Sequence, residues 1–552
     1  LLRFNNSQTS RIHLSRALRS LAILPMIALL LYSCAGSKTT TSAPKPLPSD
    51  GASSPSASIP HPPADRPTSV EEVLPPFAAP KRELRGIWVA TVANIDWPSS
   101  GNISFAQQQK EFIEILDFYA QRNFNAVFVQ VRAAGDAFYP SKYAPWSSFL
   151  TGQQGKAPST SIDPLHWMIK ACHERGMEFH AWLNPYRATF NLDTKILSPK
   201  HDYFLHPDWM VTYAAKRYYN PGLPAVREHI NKVIKELAEN YDLDGIHFDD
   251  YFYPYKVNGK EFDDKAAFQR YGKGLSLADW RRQSVDLLIQ EVSQSIKTTK
   301  PWISFGVSPF GVWRNQTQDK RGSATSAGQT NYDDLYADPL VWMKNGWVDY
   351  IAPQIYWSVN HPAAPYETLA KWWAQNSYGL PVYIGHSAYK VRADTDQSWQ
   401  SSFELANQVA LSRQIPHIEG NIFFRARSLM NANKDVADLL LQNVYTVPAL
   451  PPAINDNSPV FKELKPEVTE TKITATGISL RLDNAYLAQE LVLFGYNASG
   501  KWELLEQLPV EEAEAGEWYH FAHSMAPNYG FLALGFLGNY GEMSQLYRWK
   551  QR

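Results

Sequence analysis

Two adjacent carboxylates, Asp249 and Asp250, follow directly on the apolar run Gly245-Ile246-His247-Phe248, and Tyr251, Phe252, Tyr253 and Tyr255 come next. A short run of this kind reads as a strand buried on both faces. A carboxylate at the end of such a strand is costly to bury unless it does chemistry or binds something. Side chains alternate along a strand, so His247 and Asp249 share a face and Asp250 points elsewhere. Asp249 is therefore the expected nucleophile or base of a glycosidic-bond hydrolysis. That reaction also needs a proton donor, sought among Asp250, Asp136 and Asp96, since no Glu ends the fifth or sixth strand-like run. A carboxyl kept protonated near neutral pH needs burial or a like charge beside it.

Other strand-like runs end in polar and aromatic residues. The expected sugar contacts are Trp88, Gln130, Arg132, Trp182, Asn184, Arg187, His247, Tyr251, Tyr253, Gln354, Tyr356 and Trp357. Flat rings with polar edges, set among amides and guanidinium groups, suit sugar rings. A competing chemistry would use His247, Asp249 and Asp250, with His180 or His386, to hold a metal that activates water for glycan deacetylation. No H-x-x-x-H pair supports it, and neither a metal nor another cofactor is expected.

The groups need a frame. Eight short apolar runs (84–92, 126–131, 178–183, 245–248, 302–307, 348–355, 381–384 and 420–424) alternate with helical periodicity over 105–122, 164–175, 225–241, 277–297, 338–345, 368–375, 403–412 and 428–441. Eight such units predict a (β/α)8 barrel over residues 81–447, with active groups at the strand C-termini. An open doubly wound sheet is the rival, weakened by the lack of a glycine-rich phosphate loop after the first strand. Beyond Pro448-Ala449-Leu450-Pro451-Pro452, Ile478, Leu480 and Leu482 alternate with polar residues. Further strand-like runs at 490–496, 502–508, 517–522 and 530–537 predict a β-sandwich over 455–552.

The N-terminus has a different character. Arg3, Arg11, Arg16 and Arg19 precede an 11-residue apolar run, Leu21 to Leu31, too short to span a bilayer, which ends in Leu31-Tyr32-Ser33-Cys34. The order is that of a bacterial lipoprotein signal over 1–34, cleaved before a lipidated Cys34 that would hold the chain to a cell-envelope membrane. Residues 35–80, with eleven prolines between Pro44 and Pro80, read as an extended tether. The other cysteine, Cys172, falls in a helical pattern and reads as a buried apolar residue. A net charge of -1 with no basic face makes nucleic acid a poor partner.

Glu83-Leu84-Arg85-Gly86-Ile87-Trp88-Val89-Ala90-Thr91, the segment Asp244 to Pro254, Trp182-Leu183-Asn184-Pro185-Tyr186-Arg187, Ser308-Pro309-Phe310-Gly311 and Ala352-Pro353-Gln354-Ile355-Tyr356-Trp357 together resemble the glycosyl hydrolase-like 10 family over about residues 82–445. The resemblance implies a TIM barrel and a polysaccharide substrate, with peptidoglycan strands stripped of their stem peptides as the example from a relative. The segment 490–544 looks like a fibronectin type III sandwich. Two alternatives stand beside the hydrolase: a non-catalytic glycan-binding lipoprotein, and the metal-dependent deacetylase.

Overall fold

The structure, a computed structural model, describes residues 74–551 except 455–458, 475, 511–512 and 523–528. The expected signal segment with Cys34, and the tether up to residue 73, lie outside the described residues.

Eight parallel strands close a barrel: β1 (Leu84–Val89), β2 (Ala126–Arg132), β3 (Glu178–Leu183), β4 (Gly245–Phe248), β5 (Ser304–Val307), β6 (Tyr350–Ile351), β7 (Val382–Ser387) and β8 (Ile418–Phe424). Each strand pairs with its neighbours in sequence, and β8 returns to β1 through Leu84↔Gly420. The helices that cover the barrel begin where local chemistry predicts. α1 (Phe105–Ala120) starts with the Ser104 side chain accepting from the Gln107 N–H, and α2 (Pro164–His173) starts with Asp163 as cap and proline in its first turn. α3 (Pro224–Asn240), α4 (Leu277–Thr299), α5 (Pro339–Lys344), α6 (Tyr366–Gln375), α7 (Glu404–Ser412) and α8 (Lys434–Asn443) complete the ring. Cys172 is fully buried in α2, as its pattern predicts. β6 is much shorter than the expected run. Past Ile351 the chain includes Pro353, which has no N–H to donate, and continues through single bridges of Gln354 to Phe310 and Gly385.

Alternate side chains fill the barrel interior. Leu84, Trp88, Phe128, Trp182, Tyr350, Tyr383 and Ile422 form one buried cluster there. Glycines leave room for the large ones: a Cβ on Gly306 would lie 2.1 Å from the Tyr350 ring, and one on Gly245 would lie 2.1 Å from His180 Nδ1. The interior is therefore a packed core up to its C-terminal mouth.

Two antiparallel sheets follow. β9 (Val468–Thr474), β10 (Gly477–Leu482), β11 (Glu490–Tyr496), β12 (Trp502–Pro509), β13 (Glu517–Phe521), β14 (Phe531–Leu537) and β15 (Tyr547–Lys550) group as β9-β10-β13 and β12-β11-β14-β15. Ile478, Leu480 and Leu482 of the first sheet share a core with Leu491, Leu493, Leu532, Leu534 and Phe536 of the second. The sandwich sits against the N-terminal end of the barrel. Gln507 packs where a Cβ on Gly176 would lie 3.3 Å from it, and a cavity of about 160 Å³ is lined by His173, Glu178 and Asp244 on one side and Glu490 and Gln507 on the other. The last residues of the expected tether belong to this body. Trp502 Nε1 donates to the Pro76 carbonyl (3.0 Å), Arg548 Nη1 donates to that of Pro75 (2.9 Å), and the Phe77 ring stands 5.2 Å from Phe494. Among the described residues, no helix is long and apolar enough to cross a membrane.

Candidate active site

Strand β4 ends at Phe248, and Asp249 is the first residue beyond it, at the barrel mouth. The chain bends there instead of continuing the pleat. Asp249 Oδ1 accepts from the Asp250 backbone N–H (2.8 Å), and the Phe252 N–H donates to the Asp250 carbonyl (2.9 Å). The bend brings the two carboxyls into hydrogen-bond contact, although strict alternation would send them apart. Gln354 Nε2 donates to Asp249 Oδ1 (3.2 Å) and to the Ser308 carbonyl (2.9 Å), which fixes the first acid. The Tyr255 hydroxyl donates to Asp250 Oδ2 and fixes the second.

Both acids are buried, at 7% and 2% exposure. Burial raises the pKa of each, and the Asp249 charge pushes that of Asp250 up further, well above the usual carboxylate range. Arg187, with its guanidinium 4.3 Å above the Tyr251 ring, partly offsets both shifts. Two carboxyls in contact titrate as a pair, and both shifts favour the protonated form relative to a free carboxylate.

Around the pair lies an aromatic mouth. Tyr251 and Tyr255 stand edge to face at 5.6 Å, Tyr255 meets Phe310 at 6.3 Å, and Phe310 meets Trp357 at 5.5 Å. On the other side Tyr356 stacks on Phe424 (6.3 Å), whose ring also meets Trp182 (6.5 Å). Three polar atoms of the segment ending β3 are buried without a partner among the described residues: Trp182 Nε1, Asn184 Oδ1 and Arg187 Nε. Orphaned polar atoms in a mouth are places for a ligand or water to bond.

Several expected contacts lie elsewhere. His247 is wholly buried one layer below Asp249, with Nδ1 against the Tyr350 hydroxyl (3.0 Å) and Nε2 against Ser308 Oγ (2.9 Å). Burial, aided by His180, pulls its pKa well below the ordinary value, so it is a neutral support. Trp88 is 3% exposed and packs on Phe128 and His247, each at 6.0 Å. Both share the inward face with mouth residues but sit deeper in a barrel that has no lumen. Tyr253 is buried behind the mouth between Phe262 and Tyr336. Gln130 accepts from the Val92 N–H (3.0 Å) and holds the loop after β1, while Arg132 lies over the Tyr219 ring (5.6 Å).

The other candidate acids have internal duties. Asp136 accepts from the Ala134 N–H (3.1 Å) in its own loop; burial, opposed by a Ser147 hydrogen bond, brings its pKa up to about 6. Asp96 accepts from the Ala90 and Arg427 N–H groups (3.0 and 2.9 Å) and pairs with Arg425 at 3.2 Å. Of the histidines named for a metal, His247 and His180 share the Tyr350 hydroxyl (3.0 and 3.3 Å) below the mouth, and His386 has other partners. His180 bonds to Glu178 (3.0 Å), and His386 sits between Gln408 and Asn421 (2.8 Å each). Among the described residues, no three His, Cys, Asp or Glu side chains come together as a ligand set. Sequence reasoning missed Tyr255 as the partner of Asp250, because loop reach carries no periodic signal, and it also missed Phe424, the last residue of β8, as a wall of the mouth.

Residues 83–401 match the family described as glycosyl hydrolase-like 10. The chain is 46% identical over 398 residues to glycosyl hydrolase YngK of Bacillus subtilis (strain 168), covering 71% of this chain and 78% of that protein. It is 38% identical over 452 residues to glycosyl hydrolase DigH of Escherichia coli (strain K12), covering 77% and 97% respectively. Among solved structures, the PgaB (BpsB) glycoside hydrolase domain from Bordetella bronchiseptica overlaps 65% of this chain and 99% of its own, with a TM-score of 0.44 at 13% identity. With the match running from β1 past the Asp249–Asp250 strand end, the chain belongs to the glycosyl hydrolase-like 10 family.

Proposed function

We propose that the chain is a glycoside hydrolase acting on a bacterial cell-wall polysaccharide, with peptide-stripped peptidoglycan strands as substrate. The observation that carries the reading is the buried Asp249–Asp250 pair at the mouth of the barrel, ringed by aromatics. Asp249, the more exposed member, faces the sugar. The pair's proton passes through it to the leaving oxygen as the glycosidic bond breaks. The negative charge left on the pair then stabilises the positive charge developing at the anomeric carbon, and water adds to that carbon and returns its proton to the pair. Family membership and the relatives' names support a glycosidase-type activity; the stripped glycan rests on the family resemblance.

A second reading, glycan binding without turnover, draws on the same pair. Carboxyls in contact are closer than the roughly 5–5.5 Å of retaining and 6.5–9.5 Å of inverting glycosidases. Incubating purified protein with intact and stripped peptidoglycan, with products read by mass spectrometry, separates the two. New reducing ends that disappear in Asp249→Asn support the hydrolase. Binding without products from either sample supports the second reading.

We also propose that Cys34 is lipidated and anchors the chain in the cell envelope. The order of basic leader, apolar run and Leu31-Tyr32-Ser33-Cys34 supports it. Cys34→Ala should move the protein to the soluble envelope fraction; unchanged membrane partition with the leader removed contradicts the anchor. The grouping of three strands against four supports a fibronectin type III-like sandwich acting as a support under the barrel. A solved structure with another strand order would end that comparison.

A further inference from the structure

Beside the mouth, on the β1, β7 and β8 side, lies an open cavity of about 970 Å³. It falls at the upper end of the roughly 300–1,000 Å³ usual for small-ligand sites. The cavity is joined to the catalytic pair through rings. The Tyr356 phenol feels the charges of Asp249 and Asp250. Tyr356 stands 6.3 Å from Tyr389, both rings contact Phe424, and Tyr389, 40% exposed, forms the near wall of the cavity.

The charged lining balances: Arg392, Arg425 and Arg427 against Asp96, Glu111 and Glu114. Most of these charges are engaged. Arg425 pairs with Asp96 and Arg392 with Asp435, and Glu111 accepts from the N–H and hydroxyl of Ser99. Arg427 gives only its backbone N–H and Nε to Asp96. The side chains of Gln107, Glu114 and Asn431 hydrogen-bond to no described residue. Planar amide, carboxylate and guanidinium groups set beside an exposed phenol ring suit the hydroxyls and flat face of a sugar ring, and the lining arginines suit the carboxylate that peptide removal leaves on every second sugar.

We infer that this cavity is a distal subsite for further sugar units of the glycan whose bond is broken at Asp249; the inference rests on the glycosidase reading. A chain lying along Tyr356 and Tyr389 is held on both sides of the scissile bond, and cleavage falls within long strands rather than at their ends. Binding energy from remote units is then used at the reacting centre, so long chains react faster than short ones.

The test uses peptide-stripped peptidoglycan strands sorted by length, with the full chain as wild type, Tyr389→Ala and Asn431→Trp. Position 431 is exposed, so tryptophan there fills the cavity without disturbing the core. For wild type, kcat/KM should rise with strand length. Each variant should lose about tenfold on long strands and under twofold on the shortest strand cleaved. A loss that is equal at all lengths, or no loss on long strands, overturns the subsite. If no strand is cleaved, dissociation constants for the same ladder decide. A length-dependent weakening in the variants keeps the subsite while the hydrolase reading falls, and no binding by wild type overturns both.

Discussion

The two ends of the barrel hold acidic clusters of opposite design, half-buried at the N-terminal end and buried at the C-terminal end. At the N-terminal end, Asp244 Oδ2 accepts from the Phe179 N–H (2.6 Å) and pairs with His173 Nε2 (2.8 Å), and Glu178 pairs with His180 (3.0 Å). Burial opposes the His173 charge, but Asp244 outweighs it and holds the pKa up to about 9. At the C-terminal end, Asp249 and Asp250 meet each other, with an amide, a phenol and one offset guanidinium for company. The first sets acids against imidazoles where the barrel meets the sandwich, with Glu490 of the sandwich, its pKa raised to about 7 by burial and then by Asp244, lining the same cavity. The second raises the pKa of both acids, so that each gives up its proton less readily than a free carboxyl. A buried acid beside a base is a structural element, whereas a buried acid beside another acid is poised for proton transfer.

The contrast can be broken or sharpened by substitution. The largest effect is expected from Asp249→Asn. Turnover should fall on the order of a hundredfold or more while melting stays near wild type, because the amide fills the same volume and relieves a buried charge. Asp244→Asn should do the reverse, lowering stability by about 2 kcal/mol through weaker bonds to His173 and the Phe179 N–H, with turnover per folded molecule preserved. Its pH dependence carries a sign. The folded pKa of His173 lies above its unfolded value, so the wild-type contribution is full below about pH 6.5 and is lost as pH rises through about 9. Thermal melts between pH 6 and 10 should therefore fall more steeply for wild type than for Asp244→Asn.

A smaller effect is expected from Tyr255→Phe. The phenol donates to the ionised form of Asp250 and so restrains its rise in pKa. Removing it should move the alkaline limb of the kcat/KM profile to higher pH; an unmoved limb would mean that Asp250 does not hold the proton that matters. The smallest effect concerns the lead-in to the barrel. Deleting residues 35–73 should leave thermal unfolding unchanged, and Phe77→Ala should cost about 1 kcal/mol for the lost contacts with Phe494 and Trp502. An equal loss from the deletion would mean that the Pro-rich segment packs on the folded body.

Much of this frame was legible. The eight apolar runs, with capping residues such as Ser104 and Asp163 ahead of their helices, carry the barrel because buried parallel strands and capped helices have local signatures. Strands β9 and β15 were not legible, since β9 is largely exposed and does not alternate, and β15 alternates over only four half-buried residues. In the site, the strand-end argument placed Asp249 at the mouth, and Gln354, Tyr356 and Trp357, which follow the sixth strand, stand at its rim. Alternation separated Asp249 from Asp250, because period-two reasoning fails once the chain bends after Phe248. Trp88 and His247 show a second blind spot: alternation gives the face a side chain occupies but not its depth in the barrel.

The central claim is that Asp249 reacts and Asp244 holds the fold, and one paired measurement tests it most directly. Asp249→Asn and Asp244→Asn are compared in parallel for turnover of peptide-stripped peptidoglycan and for thermal unfolding at pH 7. The account predicts lost turnover with retained melting for the first, and retained turnover with lowered melting for the second. Wild-type turnover by a folded Asp249→Asn protein would contradict it.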